Sequence, residues 1–347
     1  MHTLAIIGFG GMGGWHAQNI MERVPELKLK GAFDIRPEAL DKAREMGLYA
    51  YESLDEVLND PEVDIVTIAT PNNFHKPLAI KALRAGKNVI SEKPVTLNAA
   101  ELEEIIAVRD ETGKLFSVHQ NRRWDKDYKI ASQIVNDGMV GKVYSVQSRL
   151  HGSRGAMFGW RAEPEHGGGM IFDWGVHFTD QIMNLFGFDS IKSVFCKMVN
   201  VKTEDVEDYF FLVYDLKNGM HVQMEIGTWV LNPLPRWMIL GDLGTAYIND
   251  FSRNGKIIKI EKSAEHSEAV VTGEGTPTRT FAPRPADEVM TFELPDTPTD
   301  LREYYANLRD AIEGKCEPIV KPCQVCAVMH VLDCAFESAR TGKQVMI

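Results

Sequence analysis

From residue 1 to about 120, short β-rich apolar runs alternate with longer stretches whose apolar positions recur at helical spacing. Residues 3–7, 27–33, 63–69, 88–91 and 115–119 read as strands, and 13–23, 37–46, 74–85 and 99–112 as the helices between them. Connections of that length suit right-handed crossovers between parallel strands, so the pattern predicts a doubly wound α/β domain over residues 1–122.

After residue 123 the pattern changes. A helix over 126–136 precedes a strand over 143–150, a loop of three glycines at 167–169, and a helix over 172–186. Six β-patterned runs follow, at 193–199, 209–215, 221–228, 236–240, 245–249 and 256–260, divided by turns such as Lys217-Asn218-Gly219. This predicts an α+β domain over 123–300 with one large, open, mainly antiparallel sheet. Residues 263–298, rich in Thr, Pro, Glu and Asp, read as a surface excursion without an assigned function. Helices over 301–313 and 322–341 close the chain, and residues 301–347 are expected to pack back on the first domain.

The length of 347 residues fits two cores rather than one. With 49 acidic against 38 basic side chains the net charge of -11 repels phosphate polyanions, which argues against nucleic acid and anionic membrane surfaces as partners. No apolar run approaches the ~20 residues of a membrane helix, and residues 1–7 lead into a strand pattern instead of a signal peptide. Five cysteines, four of them at 316, 323, 326 and 334, do not form a secreted disulfide framework, so a reducing cytoplasmic location is expected.

The first strand runs into Gly8-Phe9-Gly10-Gly11-Met12-Gly13, a G-x-G-x-x-G that opens a helix, and Asp34 ends the next strand. Glycines at these places permit a tight turn, close backbone approach to a pyrophosphate and close helix–strand packing, while the helix N-terminus offers free N–H groups. Asp34 would accept both ribose hydroxyls and repel a 2′-phosphate, which favours NAD over NADP. Arg36 has the reach to stack on adenine or to take that phosphate instead. Thr70, Pro71, Asn72, Asn73 and His75 follow a strand at the same sheet edge and form a second cofactor-lining loop, with Asn73 a candidate helix cap.

Glu92-Lys93-Pro94 delivers an ammonium to that edge, and Gly167-Gly168-Gly169 leads to Asp173 and His177, spaced i and i+4 on one helix face. Alcohol oxidation needs a hydride acceptor and a group to take the hydroxyl proton. His177 suits the second task, and Asp173 could orient it or bind a substrate hydroxyl. Taken singly, these features admit plainer readings: a strand–helix turn, a solvated lysine, a helix-start carboxylate beside a buried histidine. Asp173 and His177 supply only two metal ligands, fewer than the three of a catalytic zinc, so no metal is assigned. Cys323, Cys326, His330 and Cys334 also fall at helical spacing. Cys323 and Cys334 would lie about 16 Å apart on a helix, too far for one ion, so core packing is expected for the stripe.

Taken together, Gly8 to Gly13, Glu92-Lys93-Pro94, and Gly167 to His177 with Asp180 resemble the glucose-fructose oxidoreductase/inositol dehydrogenase (Gfo/Idh/MocA) family over essentially the whole chain. The resemblance implies a Rossmann domain, a second domain with a large open sheet, and NAD(P)-linked oxidation of a ring hydroxyl in a sugar, glycoside or cyclic polyol. It maps the catalytic residues onto Lys93, Asp173 and His177. It also places Glu92, Lys93 and Asn121 by the cofactor, turns Lys93, Asp173 and His177 toward substrate with Arg122, and makes a homodimer or homotetramer the expected assembly. Trp160 and Arg161, in the loop before the glycines, are the preferred further substrate contacts. Two alternatives stay open: an NAD-retaining enzyme that cleaves glycosides through transient oxidation, and a non-catalytic sensor of nucleotide or sugar.

Overall fold

A computed structural model describes residues 1–260, 271 and 284–347. The first domain is built from β1 (His2–Ile7), α1 (Gly11–Arg23), β2 (Leu27–Phe33), α2 (Pro37–Glu45), β3 (Tyr49–Ala50), α3 (Leu54–Asn59), β4 (Ile65–Ile68), α4 (His75–Arg84), β5 (Asn88–Ser91), α5 (Ala99–Thr112) and β6 (Phe116–Val118). Its six strands lie in the order β3-β2-β1-β4-β5-β6 and every pair is parallel. β1 and the fully buried β4 carry side chains such as Leu4, Ile6, Ile65 and Ile68 with no exposure, as a sheet covered on both faces requires. This is the Rossmann-type α/β domain that the alternation of runs predicts. Its strand order reverses between β1 and β4, so the loops after those two strands flank a crevice at the carboxyl edge.

The second domain contains α6 (Lys126–Asn136), β7 (Val143–His151), α7 (Val176–Phe186), β8 (Ile191–Val199), β9 (Tyr209–Leu216), β10 (His221–Gly227), β11 (Trp237–Gly241), β12 (Gly244–Ile248), β13 (Gly255–Ile260) and β14 (Val289–Glu293). The chain ends with α8 (Arg302–Ile312), α9 (Pro322–Thr341) and β15 (Val345–Met346). Among the described residues nine strands lie in the order β14-β13-β12-β11-β7-β10-β9-β8-β15, with β7 and β10 parallel and the other pairs antiparallel. Strict alternation along β9 buries Phe210, Leu212, Tyr214 and Leu216 on one face and leaves Tyr209, Phe211, Val213 and Asp215 part-exposed on the other. Helices cover the first face, so the sheet is open on the second.

Three expectations are corrected. The surface excursion over 263–298 contains an edge strand, β14; residues 263–270 and 272–283 of that stretch lie outside the described residues. The C-terminal segment is not simply a brace on the Rossmann domain. α8 packs there through Tyr304 and Tyr305, but α9 lies against both α5 and β8, and β15 joins the edge of the large sheet. The cysteine stripe is not uniformly core: on α9, Cys334 is buried, Cys326 half-buried, and Cys323 and His330 exposed.

Candidate active site

The turn after β1 is shaped for a diphosphate. A Cβ on Gly8, at φ +90°, would overlap the Ala69 carbonyl, and one on Gly13 would overlap the Gly8 carbonyl, whereas Gly11 faces open space. α1 begins with no side-chain cap on its first N–H groups and no acidic residue in its first turn, which leaves its positive end for an anion. A groove of about 250 Å³ runs from Phe9, Gly10 and Gly11 to Arg36 and Lys42.

Asp34, at the tip of β2, is fixed from two sides. Its Oδ2 accepts the Phe9 N–H at 2.7 Å, while Oδ1 accepts the Arg36 N–H at 2.9 Å and Nε–H at 3.0 Å. Burial works to raise its pKa, but the Arg36 bonds and charge outweigh it and hold the carboxyl below its ordinary range. The acid expected to accept the ribose hydroxyls therefore carries a paired guanidinium, half exposed beside it.

The loop after β4 reaches across to the second domain. Buried Asn72 donates from Nδ2 to the Gly167 carbonyl at 2.8 Å, and the Asn73 amide oxygen meets His166 Nδ1 at 3.0 Å. Asn73 does not cap α4 as expected; a short 3-10 turn over Asn72–Phe74 leads into that helix without a side-chain cap. His75 is fully buried and its ring spans the carbonyls of Pro94 and Thr70, at 2.8 and 2.9 Å, so it ties the two loops together from within.

Glu92 also points inward. Its Oε1 receives His16 Nε2 at 2.8 Å and His119 Nδ1 at 2.7 Å, and the other ring nitrogen of His16 meets the Tyr305 hydroxyl at 2.8 Å. Burial would raise the Glu92 pKa, yet the two imidazoles hold it well below the usual carboxylate range. The three ligand-type atoms sit within 4.8 Å of one another, at hydrogen-bond separations. Sequence reasoning missed His16, His119 and Tyr305 in this role, because they come from α1, the residue after β6, and α8 and share no local spacing.

Lys93 sits beside Asp173. Its Nζ donates to the Asp173 carbonyl at 2.7 Å and lies 3.3 Å from Oδ1, which Arg161 Nε also approaches at 3.4 Å. Burial pushes the Asp173 carboxyl up, and the Lys93 and Arg161 charges more than reverse this, so it stays ionised. Asp173 lies in a π turn, Ile171–Gly175, that precedes α7, and its carboxylate bonds to Lys93 and Arg161 instead of the His177 ring. The expectation that it orients the imidazole is corrected: the partners of its carboxylate are cations. His177 is 4% exposed, and its Nδ1 has no hydrogen-bond partner. Burial, followed by the Lys93 and Arg122 charges, lowers its pKa well below 6.5, so the ring is neutral at physiological pH.

Arg122 and Asn121 open a 3-10 turn after β6. The Arg122 guanidinium stacks 4.0 Å from the Trp174 ring centre and donates to Asp125 at 2.8 Å. The Gln181 amide holds the Arg122 carbonyl at 2.7 Å. Half-buried Trp160 lies under Arg161, 4.4 Å from ring centre to guanidinium carbon, so the two form one unit directed at Asp173. Arg123, which the sequence did not single out, forms a buried two-bond pair with Asp180 at 2.6 and 2.7 Å and fixes the turn to α7.

These residues fit a nicotinamide dinucleotide. The glycine turn and helix end suit its diphosphate, and buried Thr70 Oγ1, Arg122 Nε, His177 Nδ1 and both ends of the Gln120 amide have no partner among the described residues.

Comparison with known proteins agrees with this reading. Residues 2–120 match the model of the oxidoreductase family with an NAD-binding Rossmann fold, and residues 128–247 match the GFO/IDH/MocA C-terminal domain. The fold superposes on an NAD-binding protein from Listeria innocua with a TM-score of 0.95 at 38% identity, covering 100% of this chain and 99% of the other. The NADP(+) scyllo-inositol 2-dehydrogenase IolW of Bacillus subtilis is 25% identical over 99% of this chain and 95% of its own. The NAD(+) scyllo-inositol 2-dehydrogenase of the same organism is 35% identical over 53% of each chain. With both domain models matched in order on one chain, and the glycine turn, Lys93 and the Asp173–His177 helix in place, the protein belongs to the Gfo/Idh/MocA family of oxidoreductases.

Proposed function

We propose that the protein is a dehydrogenase that uses NAD to oxidise a secondary ring hydroxyl of a sugar, glycoside or cyclic polyol. The observation that carries this reading is the meeting of Lys93, from the carboxyl edge of the Rossmann sheet, with Asp173 and the neutral His177 of the second domain. The glycine turn, Asp34 and the loop after β4 would hold NAD, which would supply the hydride acceptor for the carbinol hydrogen. The protein must then take the hydroxyl proton, and a His177 nitrogen is the acceptor. The Lys93 ammonium donates to the substrate oxygen and stabilises negative charge as the proton leaves, while Asp173 holds that ammonium in place. Arg122, Trp160 and Arg161 supply donors and an aromatic face to the remaining hydroxyls.

The names of the inositol dehydrogenase relatives support a cyclic polyol among these classes. The two inositol dehydrogenase relatives carry opposite cofactors in their names, and on this chain we assign the choice between NAD and NADP to Arg36, which is paired with Asp34. We assign to the open face of the large sheet the contact between copies in a dimer or tetramer, to be checked by light scattering. The enzymatic reading is tested by absorbance at 340 nm with NAD, and NADP in parallel, against inositols, monosaccharides and aryl glycosides. Growth with one class names the substrate; silence across the panel, with NAD binding demonstrated, overturns the reading.

A further inference from the structure

Gly169 stands at φ +104°, and a Cβ there would overlap both carboxylate oxygens of Glu207. The carboxyl thus fills the space that glycine leaves at the start of the catalytic helix. Its Oε1 accepts the Ile171 N–H at 2.9 Å, and the Glu207 backbone carbonyl accepts the Met170 N–H at 3.0 Å. The first free donors of the turn are therefore met by one residue, 36 positions later in the chain. The turn closes with the Asp173 N–H on the Gly169 carbonyl at 3.0 Å, and two residues past Ile171 it presents Asp173 to Lys93.

We infer that Glu207 is the positioning residue for Asp173: its carboxyl, seated against Gly169 and bonded to the Ile171 N–H, fixes the π turn that carries Asp173 to the Lys93 ammonium. The inference rests on the oxidoreductase reading of the Lys93–Asp173–His177 site. No spacing in the sequence marks Glu207, because the contact joins the loop before β9 to a turn 36 residues earlier.

The carboxyl also carries a consequence for pH. Burial raises its pKa to about 7, against the pull of the Ile171 N–H and with a further push from Asp208. Two titratable groups interact with it. Asp208 is tied to the N–H groups of Val201, Lys202 and Thr203, and the Cys196 thiol of β8 is itself pushed up to about 12 by burial and by Glu207. Protonation of Glu207 weakens its acceptance of the Ile171 N–H and loosens the turn. His177 titrates well below 6.5, so an inflection of turnover near pH 7 belongs to Glu207 and not to the imidazole.

The test is the pH profile of kcat and KM between about pH 5.5 and 8.5, with hydrogen exchange of residues 169–176 in the cofactor-free protein. Wild type is expected to lose turnover below an inflection near 7 that does not move with temperature, as a carboxyl behaves and an imidazole does not. Glu207→Gln keeps an acceptor for Ile171 but cannot ionise, and is expected to flatten the profile there. Glu207→Ala removes the acceptor: exchange of 169–176 is expected to quicken, and kcat to fall about tenfold with KM changed by less than about twofold. An inflection unchanged in Glu207→Gln, or one that moves with temperature in wild type, overturns the inference. So does an exchange rate unmoved in Glu207→Ala. The temperature measurement needs no variant. The exchange measurement needs no substrate, so it separates failure of this inference from failure of the enzymatic reading.

Discussion

Lys93 and Asp173, 80 residues apart and on different domains, are joined twice: the ammonium donates to the Asp173 carbonyl at 2.7 Å and pairs with its carboxylate at 3.3 Å. One bond to backbone and one to side chain define the ammonium's position more closely than a carboxylate alone would. The arrangement makes Lys93 a test of whether both domains are seated correctly.

Lys93→Met is expected to lower kcat by on the order of 10²- to 10⁴-fold, the range for loss of a group acting on the reacting oxygen, with NAD affinity changed by less than about twofold. Steady-state kinetics beside a fluorescence titration with NAD check it. Turnover within about threefold of wild type would remove Lys93 from the mechanism. A loss confined to NAD affinity would make it a cofactor ligand only.

The buried histidines set a lower edge for stability. Burial lowers the pKa of His75, His119 and His177 below 6.5, so the folded protein binds fewer protons at these sites than the unfolded chain. The stabilisation they confer is complete above about pH 6.5 and is lost as pH falls toward their folded values. Glu207, raised to about 7, works in the opposite sense: relative to Glu207→Gln, wild type loses stability as pH rises from about 4.5 to 7. Thermal melts from pH 5 to 8 are expected to show wild type falling in Tm below pH 6.5, and Glu207→Gln gaining on wild type toward pH 8. A Tm of Glu207→Gln that is flat from pH 7 to 5 would refute the histidine account.

What the sequence made legible was what lies close together along the chain. The dinucleotide signature packs its turn, its uncapped helix and its acid into residues 8 to 34, and Asp173 and His177 share a helix with their glycine loop. What stayed hidden depends on distant partners. The π turn is set by a carboxylate 36 residues on, Glu92 is turned inward by histidines 76 and 27 residues away, and Asp34 is neutralised by an arginine whose side-chain direction no spacing reveals. β14 escaped because an edge strand with three exposed residues in five lacks the apolar alternation of a buried one, and β15 because two residues carry no period. The cysteine stripe misled for the converse reason. Its helical spacing is real, but α9 turns Cys323 and His330 outward while packing Val325, Val328 and Leu332 against the protein.

That orientation predicts a reactivity order. Cys316 and Cys323 are exposed, Cys326 half-buried with its thiol pKa raised by burial, and Cys196 and Cys334 buried. Brief alkylation with iodoacetamide at pH 8, read by peptide mass spectrometry, is expected to label Cys316 and Cys323 first, Cys326 more slowly, and Cys196 and Cys334 only after denaturation. Early labelling of Cys334 would mean that α9 does not lie against the sheet as described.

Arg36 holds the balance of charge at the ribose end of the groove. With the guanidinium bound, the Asp34 carboxylate is matched by a cation at 3.0 Å, and a 2′-phosphate meets a nearly neutral pair. Arg36→Ala leaves the carboxylate bare but still fixed by the Phe9 N–H, in the position to accept ribose hydroxyls and to repel a phosphate. At separations of several ångströms and an effective dielectric constant near that of a protein surface, this repulsion amounts to roughly 2 kcal/mol per unit of charge, more than tenfold in affinity. Arg36→Ala is therefore expected to weaken NADP binding by at least about tenfold while NAD binding changes by less than about threefold. Asp34→Ala is expected to do the reverse, costing NAD affinity and relieving NADP. Calorimetric titration of each variant with both cofactors decides the matter. Equal losses for NAD and NADP in Arg36→Ala would show that the guanidinium serves the adenine they share, and that the pair with Asp34 does not set the preference.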